Sequence, residues 1–244
     1  MKIKAIVSYD GYGYAGWQKQ ENALGIQSVI EEVLKKITQQ SVDVVASGRT
    51  DAGVHALGQV FHFETYKQMS AEQFMYAMNA LLPLDIRIVD ACVIKDSFHA
   101  RFDVVSKRYD YFCSYDNKNP FNYRYRNILQ KKLDIEKMHV AIPYLLGTHD
   151  FTSFSSSRID PRKPRVKTIT RIDILEENNE VHFIFEGTGF LRYQVRMMVG
   201  TLIAVGQKKI EPEKVEWILE QRDKEACRYN AKACGLYLVE VKYS

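Results

Sequence analysis

A chain of 244 residues, 46% hydrophobic and 26% charged, has enough apolar residues for one large domain or two ordinary ones, which excludes an intrinsically disordered protein. The N-terminal apolar run is too short for a signal-peptide core, and no run approaches the roughly 20 apolar residues of a membrane span. We therefore expect no membrane partner, and the scattered cysteines favour a cytoplasmic protein. The net charge of +4 is modest, so its distribution says more about partners than its size.

Residues 1–105 show the periodicity of a β-α-β-β-α-β unit. Residues 2–9 alternate as a strand, and "IQSVIEEVLKKI" places its apolar residues on one helical stripe. The pattern then predicts strands near 42–47 and 58–65, a helix over 71–82 and a strand near 86–94. This order is the ferredoxin-like arrangement.

Residues 106–244 are predicted to repeat that topology. We expect strands at 107–116, 168–176, 180–187 and in "GLYLVEVKYS", and helices near 134–146 and in "FLRYQVRMMVGTLIAVG" and "PEKVEWILEQR". The predicted fold class is α+β. Two ferredoxin-like halves, 1–105 and 106–244, would form one mostly antiparallel sheet with a central cleft.

The cysteines and histidines show no pattern typical of metal ligands. The four cysteines contain no C-x-x-C pair, and the six histidines no H-E-x-x-H spacing. We predict reduced core thiols and no metal site.

Positive charge is concentrated in two stretches. Residues 101–132 hold eight Lys and Arg against three Asp, and residues 158–171 hold six against one. Such segregation favours a basic face for an anionic partner, most often a phosphodiester. The alternative is a pair of solvated loops.

The segment "ASGRTDAGVHALGQVFHF", residues 46–63, places charged side chains on a glycine-flanked excursion between two strands. Gly48 and Gly53 permit close backbone approach and positive φ. Asp51 is ionised at neutral pH and is a candidate nucleophile or base. Alternatively, Asp51 closes an Asx-turn and pairs with Arg49 on the surface.

The helix "FLRYQVRMMVGTLIAVG" carries Arg192 and Arg196 four residues apart, hence on one face. Arg196 lies among apolar residues and is expected to be partly buried. A buried guanidinium needs a carboxylate, because an uncompensated charge costs several kcal/mol. Asp51 is a candidate partner, and the alternative is an arginine that extends to solvent.

The segment "KRYDYFCSYDNKNPFNYRYR" interleaves aromatic and basic residues. Seven aromatic residues fall between Tyr109 and Tyr125, with Lys107, Arg108, Arg124 and Arg126 around them. This composition is typical of surfaces that stack bases and hold phosphates. Tyr109 and Tyr111 share one strand face, so either the core or a base can be their partner.

Seven motifs together resemble those of the tRNA pseudouridine synthase A family. In chain order they are "YDGYGYAGWQ", "SGRTDAGVHALGQVFHF", "FHARF", "KRYDYF", "GTHDFTSF", "FLRYQVRMMVG" and "ACGLYLVEV". The resemblance covers nearly the whole chain, and the G-R-T-D-A-G-V-H segment is highly specific. It implies two ferredoxin-like halves sharing one sheet, with the catalytic aspartate loop in the first half and a base-stacking tyrosine and an arginine partner in the second.

The resemblance also implies a role for each matching residue. Asp51 matches the catalytic aspartate, and Arg49 the arginine thought to help extrude the target base. Tyr109 matches the tyrosine that stacks on the target uracil, and Arg196 the arginine that pairs with the aspartate. The implied reaction converts uridine to pseudouridine at positions 38, 39 and 40 of the tRNA anticodon stem-loop. It requires no cofactor or metal, and the family is homodimeric with tRNA held across both subunits.

Three other interpretations remain open. The same chemistry can act on another RNA, such as a ribosomal site. An RNA-binding module without catalysis shares the β-α-β-β-α-β order, but it needs no glycine-bracketed aspartate. An aspartate-nucleophile phosphoester hydrolase would need a second, metal-binding carboxylate near Asp51, and none is nearby in the sequence.

Overall fold

The computed structural model describes residues 1–156 and 164–244. The chain divides into two compact units, Met1–Val105 with Tyr237–Ser244, and Ser106–Leu236. Residues 158–163 of the basic stretch predicted at 158–171 lie outside the described residues. None of the helices formed by the described residues is long and apolar enough to cross a membrane.

The first unit has the order β-α-β-β-α-β. Its elements are β1 (Lys2–Tyr9), α1 (Ile26–Thr38), β2 (Val45–Ala46), β3 (His55–Glu64), α2 (Ala71–Leu81) and β4 (Ile86–Ile94). β1 is central and pairs antiparallel with both β3 and β4, and the short β2 pairs antiparallel with β3.

The second unit is larger, and its described residues form three α-helices. In chain order it has β5 (Val104–Ser114), β6 (Asn127–Ile128), α3 (Ile135–Ala141), β7 (Gly147–Asp150), β8 (Val166–Glu177), β9 (Glu180–Gly187), α4 (Gln194–Gly206) and α5 (Glu213–Gln221). β5, β9, β8 and β7 pair in that order, each antiparallel to the next. The last strand, β10 (Leu236–Tyr243), lies mostly in the first unit and is parallel to β3.

Local sequence explains most of these elements. α1 buries Ile26, Ile30, Val33 and Leu34 as one stripe, as its periodicity predicts. α2 begins with a capping box, in which Ser70 Oγ accepts from Gln73 N at 3.1 Å and Gln73 Oε1 accepts from Ser70 N at 2.8 Å. α4 is buried on nearly all sides, which agrees with its apolar sequence.

The predicted α+β fold class with mostly antiparallel pairing is confirmed, but three boundaries differ. α4 begins at Gln194, not at Phe190, because Tyr193 has a φ of 69° that no α-helix can continue through. β2 covers only two residues, and β3 begins at His55, three residues earlier than predicted. The polar excursion is therefore confined to residues 47–54.

Candidate active site

Asp51 opens a tight turn at the end of the excursion in the first unit. Val54 N donates to Asp51 O at 3.1 Å, and Gly53, the third residue of the turn, has a φ of 74°. A positive φ at this position favours glycine, because a Cβ would clash with the backbone. The residue pattern D-A-G-V thus encodes the turn, and it leaves Asp51 partly exposed at the turn's first position.

The loop between β1 and α1, residues 10–25, packs against this turn. Trp17 N donates to Thr50 O at 3.1 Å, and Gly53 N donates to Tyr14 O at 3.2 Å. Gly16 has a φ of 92°, and a Cβ built on it would lie 2.5 Å from Thr50 O. Backbone is therefore packed directly on backbone on both sides of Asp51, which limits its movement.

Two buried side chains fix the start of the excursion. Tyr9 Oη and Thr50 Oγ1 lie 2.8 Å apart, and complete burial raises the pKa of Tyr9 well above its ordinary value, so this hydroxyl stays neutral. Gln59, fully buried in β3, accepts from Ser47 Oγ at 2.7 Å and donates to Gly48 O at 3.0 Å.

The sequence interpretation missed Tyr9 and Gln59 as positioning residues. Gln59 left a signal, since it is a single amide in the apolar run "ALGQVFHF". A buried amide needs hydrogen-bond partners, which makes such a residue a candidate anchor for a neighbouring loop. Tyr9 ends a strand of alternating burial and left no comparable signal.

Arg49 and Asp51 differ in exposure although they are two residues apart. Thr50 between them is buried, Asp51 is half-buried, and Arg49 is exposed. The loop thus offers a carboxylate on a fixed backbone and a guanidinium directly accessible to solvent. A fixed, accessible carboxylate suits nucleophilic or general-base chemistry.

In the second unit, Tyr109 and Tyr111 occupy one face of β5, as predicted. Tyr111 is completely buried, and its hydroxyl donates to Lys232 O at 2.8 Å. Tyr109 is 8% exposed, and its ring meets Phe190 edge-on at a centroid distance of 5.2 Å. Tyr111 is therefore a core residue, whereas Tyr109 keeps a small accessible surface.

Arg196 lies in the first turn of α4 and contacts both Ala231 and Tyr193. Its Nε donates to Ala231 O at 2.8 Å, while Ala231 N donates to Arg196 O at 3.0 Å. Its guanidinium carbon lies 5.0 Å from the ring centre of Tyr193, and that of Arg192 lies 5.1 Å from the same ring. Cation–π contact on a partly exposed ring is worth about 0.5–1 kcal/mol and helps to offset the left-handed backbone of Tyr193.

The aromatic and basic segment, residues 107–126, divides into two parts. Within the strand, the guanidinium of Arg108 donates to both carboxylate oxygens of Asp110, at 2.7 and 2.8 Å, and so forms an ion pair within β5. Beyond the strand, Phe121, Tyr123 and Tyr125 are exposed, with Phe121 at 81%. The exposed aromatic residues of this segment therefore lie in the loop rather than in the strand.

The structure groups the predicted site residues by unit. Arg49 and Asp51 lie together on the excursion of the first unit, and Tyr109 and Arg196 lie in the second. Within residues 1–156 and 164–244, no group of three or more His, Cys, Asp or Glu side chains is placed to hold a metal ion.

Comparisons with known proteins match almost the whole chain. A family model described as tRNA pseudouridine synthase matches residues 5–103 and 141–244. Among curated relatives, the tRNA pseudouridine synthase A of an Exiguobacterium species is 46% identical over 99% of this chain and 98% of its own. That of Acetivibrio thermocellus is 43% identical over 99% of both chains, and that of Streptococcus pneumoniae 39% over 99% and 98%.

A solved structure, "Crystal Structure of a Cbf5-Nop10-Gar1 Complex", aligns with a TM-score of 0.40 at 12% identity. The alignment covers 97% of this chain and 48% of that chain. This likeness is too low to support an inference about fold or function.

Proposed function

Because the chain belongs to the tRNA pseudouridine synthase family, whose members are isomerases, we propose that it converts uridine to pseudouridine in the tRNA anticodon stem-loop, at positions 38, 39 and 40. The observation that carries the proposal is the D-A-G-V turn, which holds Asp51 accessible on a backbone fixed from both sides. The identity to the relatives over 99% of the chain supports it.

The reaction exchanges one bond of the ribose for another. The bond from C1′ of the ribose to N1 of uracil breaks, the base turns, and C1′ bonds to C5. The proton on C5 leaves to solvent, and N1 gains a proton, so reactant and product have the same composition. Neither redox chemistry nor phosphoryl transfer is involved, so the reaction requires no cofactor.

Asp51 is the proposed catalytic residue, either as a nucleophile on the sugar or base, or as the base that removes the ribose 2′ proton. A stacked uridine hides its reacting atoms and has to leave the helix, at a cost of a few kcal/mol. We assign to Arg49 a part in that extrusion, supported by its exposed position two residues from Asp51. Stacking on Tyr109 would return about 1–3 kcal/mol.

Arg196 is the proposed ion-pair partner of Asp51. A charge pair would keep the carboxylate ionised at the moment of reaction. Support comes from the way that Ala231 and Tyr193 orient its guanidinium within the second unit. A double-mutant cycle with Asp51→Asn and Arg196→Gln tests the pairing. Independent, additive losses of activity would reject it.

The first experiment measures tritium release from tRNA labelled at C5 of its uridines, and sequencing of the product locates the modified positions. Wild type should release tritium, and Asp51→Asn should lose at least about 10³-fold in rate with RNA affinity nearly unchanged. Asp90→Asn, an exposed aspartate on β4, is the matched control and should keep full activity. A lower melting temperature of Asp51→Asn would instead indicate a structural role.

Absence of release by wild type that binds tRNA would contradict the proposed substrate positions. Ribosomal RNA labelled in the same way is then the next substrate, and release from it would assign the same chemistry to another RNA. Binding without release from either RNA would favour a non-catalytic RNA-binding module. The proposed homodimer is tested separately by sedimentation velocity, in which a single monomeric species at micromolar concentration would contradict it.

A further inference from the structure

Two lysine pairs, distant in sequence, meet at one hollow in the second unit. Lys131 and Lys132 follow β6, and Lys208 and Lys209 follow α4. Residues 128–134 and 206–209 line an open surface depression between them. We call this feature the lysine hollow.

Close backbone approach brings the two pairs together. Asp134 N donates to Gly206 O at 2.8 Å, which joins the two segments directly. A Cβ on Gly206 would lie 2.5 Å from Met138 Sδ and 3.0 Å from Leu133 Cβ, so a larger residue here would require the Met138 side chain to shift. The hollow is therefore built into the fold at the carboxyl end of α4.

The hollow carries more positive charge than its own contacts neutralise. Lys208 Nζ lies 3.2 Å from Asp134 Oδ2, and Asp134 also accepts from Lys137 N at 3.1 Å as the cap of α3. Among the described residues, no acid lies within salt-bridge distance of Lys131, Lys132 or Lys209. Four lysines against one aspartate leave a net charge of +3.

The carboxyl end of α4 explains why this cluster is tolerated. The unpaired carbonyls at a helix C-terminus favour cations by about 0.3–1 kcal/mol each. That effect does not require a depression, and it does not require the second lysine pair at 131–132. Three lysines with no acid of the described residues in reach, on two segments that meet, point to an anion as the missing neutralising group.

We infer that the lysine hollow holds phosphates of the RNA substrate and so anchors the RNA away from the reacting uridine. This inference rests on the proposed function. The lining contains no aromatic side chain for stacking a base, so recognition is of the backbone and independent of sequence. α4 runs ten residues from Arg196 to Gly206, about 15 Å, which corresponds to roughly four or five nucleotides of one strand.

The test compares Lys131→Gln/Lys132→Gln with Lys35→Gln/Lys36→Gln. Both variants remove two adjacent lysines, and the control pair lies in the last turn of α1 in the first unit. Unmodified tRNA transcript is the probe, and its Kd is measured at several salt concentrations. We expect the hollow variant to weaken binding about tenfold at physiological salt and to reduce the salt slope by about 1.4–1.8, while the control changes neither.

Activity separates this inference from the proposed function. In tritium release, the hollow variant should raise KM about tenfold and keep kcat, because the anchor does not touch the reacting atoms. Equal Kd and equal salt slope in the two variants would overturn the lysine hollow, whether or not wild type releases tritium. Absence of release by wild type, with the binding difference intact, would overturn the reaction and leave the RNA surface standing.

Discussion

The Asp51 turn and the start of α4 hold their charged side chains by different means. The turn is held by contacts between backbone atoms. Trp17 N donates to Thr50 O, Gly53 N donates to Tyr14 O, and Gly16 packs against Thr50 O. At α4, Arg196 is held through its own guanidinium, which binds Ala231 O and stacks on Tyr193.

This difference predicts which substitutions matter in each region. The aspartate turn should be sensitive to a Cβ added in the loop that packs against it. A clashing side chain can change its rotamer, but a clashing backbone atom cannot move without shifting the chain. The arginine should be sensitive to the geometry of its own head group, even where charge is conserved. Four experiments test this contrast.

Gly16→Ala should have the largest effect. A Cβ at a φ of 92° is strained and would meet Thr50 O at 2.5 Å, so we expect a loss of about 3 kcal/mol, or roughly 6–12 °C in Tm. Gly13→Ala, in the same loop, is the control, since a Cβ there meets no atom within 4 Å and φ is ordinary. Its free energy of unfolding should change by less than about 0.5 kcal/mol. Similar losses in the two variants would contradict the packing described.

Arg196→Lys tests the other side of the comparison. Lysine keeps the charge but loses the Nε donor to Ala231 O and the guanidinium contact with the Tyr193 ring. We therefore expect kcat/KM to fall about 30-fold, or about 2 kcal/mol, with Tm within a few degrees. Arg192→Lys is the control, because Arg192 lies on the same ring but is exposed. Equal losses of activity would show that the orientation of Arg196 is unimportant.

The two units should also differ in their response to acid. In the first unit, burial and then the charge of Lys2 lower the pKa of His62 to about 4, and its Nδ1 accepts from Ala100 N at 3.1 Å. The unfolded chain, with a histidine pKa near 6.5, binds the proton first. Stability is therefore complete above about pH 6.5 and is lost as pH falls towards 4.

From pH 7 to 5 we expect the free energy of unfolding to decrease by about 2 kcal/mol through His62. Urea unfolding at several pH values measures this decrease, and His62→Gln, which can still accept from Ala100 N, should make the unfolding free energy less dependent on pH. If the unfolding free energy of His62→Gln still depends on pH as in wild type, the acid sensitivity does not come from His62.

In the second unit, burial tends to raise the pKa of Asp110, but hydrogen bonds from His182 and Arg108 outweigh it and hold the pKa below its ordinary value. This carboxylate loses its contribution only below about pH 4.

Tyr9→Phe should have the smallest effect. It removes the 2.8 Å contact to Thr50 Oγ1 and should cost about 1 kcal/mol of stability and roughly threefold in kcat, because Thr50 precedes Asp51. Tyr243→Phe removes a hydroxyl that donates to Ala100 O at 2.6 Å, at a distance in sequence from the turn. It should cost similar stability and leave kcat unchanged. A matching loss of kcat would show that the effect is global.

The sequence predicted the secondary structure best where periodicity is local. The α1 stripe and the strand order of the first unit follow from residue patterns within single elements. The start of β3 was predicted too late, because His55 and Ala56 do not continue the apolar pattern. They become strand through pairing with Tyr237 and Tyr9, which are distant in sequence.

The candidate site was only partly accessible from the sequence. The glycine and aspartate pattern identified Asp51 and its turn, because positive φ is a local demand that glycine records. The contact of Arg196 with Ala231 spans 35 residues, and nothing local to either residue indicates it. The anchoring by Gln59 likewise depends on which segment β3 meets.

By itself, then, the sequence determined the type and order of most elements, the aspartate turn and the family resemblance, since each is written in neighbouring residues. Three features became visible only in the folded chain: the residues that hold Arg196, the tyrosine of β5 that stays accessible, and the hollow shared by Lys131–Lys132 and Lys208–Lys209. The physical reason is common to all three. Contacts between distant segments depend on chain reversals and on close packing, such as that at Gly206, whose geometry no local pattern encodes.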